Sequence, residues 1–309
     1  MDHALEQQAE AVIARGSKSF AAAARLFDPE TRRDVMLLYA WCRHCDDVTD
    51  GQELGRGRLE TASDAALQQL RDNSLAALGD APSGAFPYRA LAEVARRHPI
   101  GPALVEAHIR GFELDVAGWQ PKTLDDTLQY SYHVAGSVGI MMALIMGVRD
   151  KHTLHRACDL GIAFQLTNIA RDVAEDARAG RSYLPGEWLR EAGLEVCDLA
   201  DEVGWKKAFP LVCRLIDTAE PYYASARIGE RALPPRAAWA IATARGVYRD
   251  IGLQIRKRGH QRMGERSHTS KNRKAWRAAT GGVQMLGGRF RRTADTPSRE
   301  GLWTPDSVA

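Results

Sequence analysis

Five cysteines in 309 residues, at positions 42, 45, 158, 197 and 213, are too few and too irregularly spaced to form a disulfide framework. That usage fits a reducing compartment. Cys42 and Cys45 have the spacing of a zinc or redox pair, but no second pair follows at finger spacing, so both read as helix packing residues. The chain also lacks a basic start followed by an apolar core and a small-residue cleavage site, which argues against a signal peptide. Neither a P-loop nor a glycine-rich dinucleotide fingerprint is present, which removes two common ways of cradling a nucleotide. Long hydrophobic runs are missing too. Residues 129–148 carry no formal charge, yet Ser131, His133 and Ser137 interrupt them, and a membrane span needs ~20 predominantly apolar residues. A buried helix of a large bundle is the better expectation.

Strand-like alternation is nearly absent, whereas apolar residues recur at helical spacing. Residues 1–25 read as an amphipathic helix with acids at Glu6 and Glu10. Asp28-Pro29-Glu30 supplies an N-cap followed by proline at the first helical position, and Val35, Leu38, Trp41, Cys45 and Val48 mark a core face behind it. Thr123 with Asp126 makes a capping box that opens a helix running to about Met146. Further helices are expected over 59–78, 102–116, 153–177, 202–228 and 235–258, with loops at 79–87, 117–122 and 179–186. No repeat or long linker divides residues 1–258, which read as one all-α domain. Residues 259–309, with glycine pairs at 281–282 and 287–288, read as a disordered basic extension.

Charge sharpens that division. Residues 256–292 hold twelve Lys and Arg against Glu265 alone, a net +11, which leaves −8 for the rest of a chain that totals +3. An acidic body with a basic tail admits nucleic acid or an anionic membrane surface as partners. The Gly, Ser and Thr content of the tail favours a solvated segment over a nucleic-acid site.

Two groups of acids carry the chemistry. Asp46 and Asp50 stand four residues apart, which on a helix separates them by ~40° around the axis and ~6 Å along it, with Arg43 on the same side. Acids at a helix C-terminus oppose its dipole, so the cluster asks for a cation. Such a cluster alone is more often a charged surface than a site. The second group changes the balance: Gln165, Asn168, Asp172 and Asp176 form one polar stripe on a segment otherwise built from Leu160, Ile162, Phe164, Leu166, Ile169 and Val173. Burying such a stripe is costly unless something compensates it, and a hard divalent cation with phosphate oxygens does so. Arg171 adds a planar donor suited to phosphate.

These residues also carry a resemblance. The string Leu160-Gly-Ile-Ala-Phe-Gln165, Asn168-Ile-Ala-Arg171-Asp172, Glu175-Asp176, Gly180-Arg-Ser-Tyr-Leu-Pro185 resembles the second signature of the squalene/phytoene synthase family. Tyr130 to Gly139 resembles the first signature, Ser17 to Phe20 and Arg43 to Asp50 the N-terminal motifs, and Val247-Tyr248-Arg249 a further one. The resemblance implies a single large helical bundle of the isoprenoid synthase type with a central cavity. It implies head-to-head condensation of two prenyl diphosphates, and among members the chain most resembles the bacterial ones that join two geranylgeranyl diphosphates into 15-cis-phytoene through a cyclopropyl diphosphate. The alternative is squalene or dehydrosqualene formation from farnesyl diphosphate. By carry-over, Asp46, Asp50, Asn168, Asp172 and Asp176 hold Mg2+ (or Mn2+), and Arg43, Lys18, Gln165, Arg171 and Tyr248 contact diphosphate. Ser17, Ser19, Phe20, Tyr130, Val134 and Gly136 line the cavity, with the small residues from Val134 to Gly139 letting a long chain pass close to the backbone. No NADPH is expected. Expected partners are the prenyl diphosphates, other carotenoid-pathway enzymes and a membrane surface contacted peripherally. The place implied is the cytoplasm, at the inner face of the membrane.

Rival readings fit less well. A chain-elongating synthase would carry a different second aspartate motif and a terpene cyclase a different Asn/Ser/Glu triad. A non-catalytic relative would show decayed carboxylates, and here all five positions are intact. His133 reads as a helix residue with one ordinary hydrogen bond, Met141, Met142 and Met146 as core filling, and Tyr222, Tyr223 and Trp239 as packing.

Overall fold

The computed structural model describes residues 3–16, 21, 23–50, 62–79, 84–265, 277 and 298–305. Among them there are helices and no strand. In chain order these are α1 (His3–Gly16), α2 (Pro29–Asp50), α3 (Asp64–Ala76), α4 (Phe86–Arg97), α5 (Pro102–Val116), α6 (Leu124–Ser131), a π-helix (Tyr132–Gly136), α7 (Ser137–Ile145), α8 (Lys151–Arg178), α9 (Gly186–Ala192), α10 (Glu202–Gly229) and α11 (Pro235–Arg258). Short 3-10 turns follow α9, α10 and α11.

Local chemistry explains the helix starts. Proline in the first turn of α4, α5 and α11 gives up an N–H that would have no helical partner anyway. Asp28 Oδ1 accepts from the Thr31 N–H at 3.0 Å ahead of α2, and Asp150 Oδ2 accepts from the Thr153 N–H at 2.9 Å ahead of α8. The Thr123 and Asp126 capping box closes from both sides.

The helix expected to run from Thr123 to Met146 is continuous but not uniform. Its middle turn is a π-helix, which leaves the His133 carbonyl open to Ser137 Oγ at 2.7 Å and to the His108 ring at 3.3 Å. The charge-free stretch is thus core, and no described helix is long and apolar enough to cross a membrane. His133 itself bonds the Ala107 carbonyl at 2.9 Å, as an ordinary helix residue would.

Helix α8 is the axis of the bundle, about 42 Å long, and packs against α7, α10, α11 and the π-helix. Its approach to the π-helix depends on two glycines. A Cβ on Gly161 would stand 2.2 Å from the Ala135 carbonyl oxygen, and one on Gly139 would stand 2.4 Å from that of Ala157. The α1, α2 and α4 helices form the other flank of the core, with Val35, Leu38 and Trp41 fully buried.

The chain end departs from expectation. The 3-10 turn at His260–Arg262 packs on α10, with Met263 buried behind it, so the body extends past 258. Arg277 makes a two-point bond to Asp250, and Arg299 makes another to Asp159, at 2.8 and 2.7 Å. Trp303 donates its backbone N–H to the Tyr222 hydroxyl at 3.1 Å and lays its ring 5.4 Å from that of Tyr132. A segment expected as disordered extension therefore contributes a docked strap over 298–305, because the buried aspartates of the body need its arginines. The glycine pairs at 281–282 and 287–288 lie outside the described residues.

Candidate active site

On α8 the predicted stripe forms as spaced. Gln165, Asn168, Asp172 and Asp176 are all partly buried, on a helix whose other side is core. The Asn168 amide donates to Gln165 Oε1 at 3.3 Å, while its own Oδ1 is buried with no hydrogen-bond partner. Arg171 grips Asp172 through Nε at 2.7 Å and through a second guanidinium nitrogen. Asp176 is pushed up to about 7 by burial, then by the charge of Asp172, with Glu175 and Asp115 adding to the effect and Arg181 opposing it.

On α2, Arg43 meets Asp46 Oδ2 at 2.8 Å and Asp47 Oδ1 at 2.6 Å. Both neighbours of Arg43 are thus engaged, not Asp46 alone. Asp50 closes the helix, and its side chain lies outside the described residues, as do Ser17, Lys18, Ser19 and Phe20.

Two tyrosines lie within electrostatic reach of these charges. Tyr248 of α11 stacks on Phe164 of α8 with centroids 4.1 Å apart and planes at 21°, and its hydroxyl is raised by burial while Arg171 pulls it down. Tyr39 of α2, pushed up to about 12 chiefly by burial, feels Arg43 and Asp46 on its own helix and Tyr248 across the gap. The predicted Tyr248 therefore feels the Arg171–Asp172 pair, and Tyr39, which the sequence reading did not single out, feels Arg43 and Asp46.

Beside Asp176 lies an aromatic group. Tyr130 donates its hydroxyl to Asp115, and so does Tyr183 from the loop that follows α8. Tyr183 and Asp115 were not singled out; the only signal for the former was its place in the 180–185 string. The small-residue face packs closely against its neighbours. Gly136 packs against Cys158 and Ile162 of α8, where a Cβ would meet Cys158 Sγ at 3.0 Å, and Val134 fits over Gly111 of α5. Their smallness serves helix packing in this structure. A cavity of about 600 Å³ exists elsewhere, lined by Arg33, Leu37, Leu78, Arg89 and Arg97, and none of the aspartates above reaches it.

A divalent cation and a diphosphate suit this donor set. The orphaned Asn168 Oδ1 and the raised Asp176 carboxyl are two oxygens in want of positive charge. Among the described residues no three His, Cys, Asp or Glu side chains are close enough to hold an ion by themselves, so substrate or water oxygens must complete any shell. Cys42 and Cys45 are not rivals for it: burial keeps both thiols protonated far above their usual range.

A helical bundle built around a long central helix with a polar stripe beside stacked aromatic rings has the architecture of the isoprenoid synthases. It is similar in shape to a dehydrosqualene synthase solved with a ligand, with TM-score 0.81 at 27% identity over 92% of this chain and 97% of that one. A squalene synthase from Alicyclobacillus acidocaldarius shares the fold at TM-score 0.73 and 21% identity, over 83% of this chain and 95% of that one. The chain belongs to the squalene/phytoene synthase family, whose pattern matches residues 13–277. It is a prenyltransferase-type enzyme. It is 52% identical to the 15-cis-phytoene synthase of Paracoccus sp. over 94% of this chain and 95% of that one. It is 47% identical to the protein of the same name from Pantoea ananas, over 98% of this chain and 97% of the relative.

Proposed function

We propose that this chain is a 15-cis-phytoene synthase, joining two molecules of geranylgeranyl diphosphate head to head through a cyclopropyl diphosphate. The observation that carries the reading is identity of 47 to 52% along nearly the whole length of several proteins bearing that name. The 27% identity to a dehydrosqualene synthase makes the farnesyl alternative the weaker one.

The geometry above supports these residue roles, with Asp50 and residues 17–20 resting on the family resemblance. Asn168, Asp172 and Asp176 on α8, with Asp46 and Asp50 on α2, would hold Mg2+. Bound there, the metal would supply Lewis-acid neutralisation of the departing diphosphate. Arg43 and Arg171, each tied to an aspartate, are positioned to trade part of that pairing for phosphate oxygens. Gln165 orients Asn168, and Tyr248 stacks on Phe164 beside Arg171. Tyr130 presents a ring to the allylic cation that forms when the carbon–oxygen bond breaks. Ser17, Lys18, Ser19 and Phe20 belong to the same reading as substrate contacts by family resemblance, and Val134 and Gly136 as cavity wall likewise by resemblance. The reaction ends in proton loss and needs no NADPH. Because substrate and product are lipophilic, the enzyme would work in the cytoplasm at the inner membrane face, beside other carotenoid-pathway enzymes, and the basic 256–292 segment would aid that contact.

The test is incubation with farnesyl and with geranylgeranyl diphosphate separately, with magnesium and without NADPH. A C40 product from the longer substrate alone is the expected result, and a C30 product would overturn it.

A further inference from the structure

Asp115, on the last turn of α5, is shared by two phenols. Its carboxylate accepts the Tyr130 hydroxyl at 3.0 and 3.1 Å and the Tyr183 hydroxyl at 2.8 Å. The two rings lie 4.7 Å apart with planes at 16°, and Trp119 stacks on Tyr130 at 5.9 Å and 25°. Three separate elements meet there: α5, α6 and the loop after α8. A further bond closes the junction, from Thr127 Oγ1 of α6 to the Tyr183 carbonyl at 3.2 Å. Tyr130 is almost wholly buried, so its hydroxyl must find a partner inside the protein.

Two consequences follow from elementary chemistry. A phenol bonded to a carboxylate is held more tightly than one bonded to a neutral acceptor, so both rings are fixed in plane and azimuth. Donation to an anion also pushes electron density into the ring, which deepens the negative face that attracts a cation. The junction sits beside the metal-binding stripe: Arg181, two residues before Tyr183, donates its backbone N–H to the Asp176 carbonyl at 2.9 Å. Asp115 is also among the charges felt at the Asp176 carboxyl.

We propose that Asp115 is a positioning residue for the coupling reaction, holding Tyr130 and Tyr183 as one aromatic wall beside the Asp172–Asp176 end of α8. This rests on the prenyl-coupling reading given above. The Asp115 carboxylate is engaged by the two phenols, and it acts through their rings. Tyr183 is the second member of the wall and shares the task of facing the allylic cation.

The experiment measures kcat and KM by diphosphate release from the full chain with magnesium, using whichever prenyl diphosphate the wild type couples. Asp115→Asn keeps the shape and removes the charge, and kcat should fall ~10-fold or more while KM stays within ~2-fold. Tyr183→Phe keeps the ring, loses one bond, and should lower kcat ~3-fold. The double variant should be no slower than Asp115→Asn alone, because the lost hydroxyl then has no anion to bond. Multiplying losses in the double variant, or a change confined to KM, would overturn the proposal. So would wild-type kcat in Tyr183→Phe, a variant that leaves the carboxylate in place and tests the wall without it. Failure of the coupling reading shows in the wild type alone, as absence of a coupled product, and is therefore distinct from failure of the wall.

Discussion

Helix α8 carries buried acids near both ends, in opposite circumstances. Asp159, with no exposed surface, receives two bonds from Arg299 and a third from Ser225 Oγ at 2.5 Å. Asp176, more than four turns later, is partly buried beside two more acids, and its attraction to Arg181 is outweighed. Asp250 on α11 repeats the first pattern with Arg277, and Glu230 does so with Arg245 at 2.5 Å. The difference separates two uses of a carboxylate. An acid whose positive partner is built into the fold stabilises it, whereas an acid left short of positive charge awaits a cation from outside.

The largest way to break this comparison is to remove acids of the α8 stripe. Asp172→Asn and Asp176→Asn should lower kcat by about three orders of magnitude, the several kcal/mol that a metal contributes to a departing charge. The melting temperature of Asp176→Asn should hold or rise, since it removes a carboxyl already disfavoured as an anion. Asp172→Asn also breaks the two-point bond with Arg171 and should melt lower. Steady-state kinetics with thermal melts of the same preparations checks both. A variant that kept full activity would return these residues to the structural class.

Acids of the first kind should respond the other way round. Arg299→Ala leaves Asp159 buried with two of its three bonds gone, which should cost about 3–5 kcal/mol of stability while kcat per folded molecule stays near wild type. Denaturant titration reads the loss. Adding Asp159→Asn to Arg299→Ala should recover part of it, because the uncompensated charge, not the missing contact, carries most of the penalty. If the double variant is less stable than the single one, the strap works through packing of Trp303 on Tyr132 instead.

The two kinds were not equally legible in the sequence. The functional stripe announced itself because a polar residue recurs at helical period inside an apolar helix, a pattern confined to one element. The limits of α5 and α11 were legible for the same local reason, proline in the first turn. Asp159 gave no such sign: its partner lies 140 residues away in a segment whose composition reads as a solvated tail. Asp115 and Tyr183 meet across 68 residues, and Tyr39 finds Tyr248 only once α2 and α11 face each other. Helix α4 was hidden by Pro87, which resembles a loop residue but begins a helix, and α9 by its mere seven residues between Pro185 and the left-handed Gly193. The π-helix was not marked by any local pattern, and the His108 ring that meets its His133 carbonyl comes from another helix, 25 residues away.

The smallest expected effect tests the comparison through pH. The Asp176 carboxyl titrates near 3.8 when unperturbed and at about 7 in the folded protein. Between those values the folded chain binds a proton that the unfolded chain has lost, so metal-free stability falls as pH rises through the window. A divalent cation engages the ionised carboxylate and opposes that fall. The gain in melting temperature on adding magnesium should therefore grow from pH 5 to pH 8, reaching about 5 °C at a hundred times the dissociation constant. In Asp176→Asn the metal-free slope should flatten and the pH-dependent part of the gain should shrink. The same scan on Asp159→Asn should leave the magnesium response untouched, since that acid already has its cation in Arg299. A magnesium response lost from both variants would mean that the two ends of α8 act as one electrostatic unit, and the division between built-in and awaited charge would not hold.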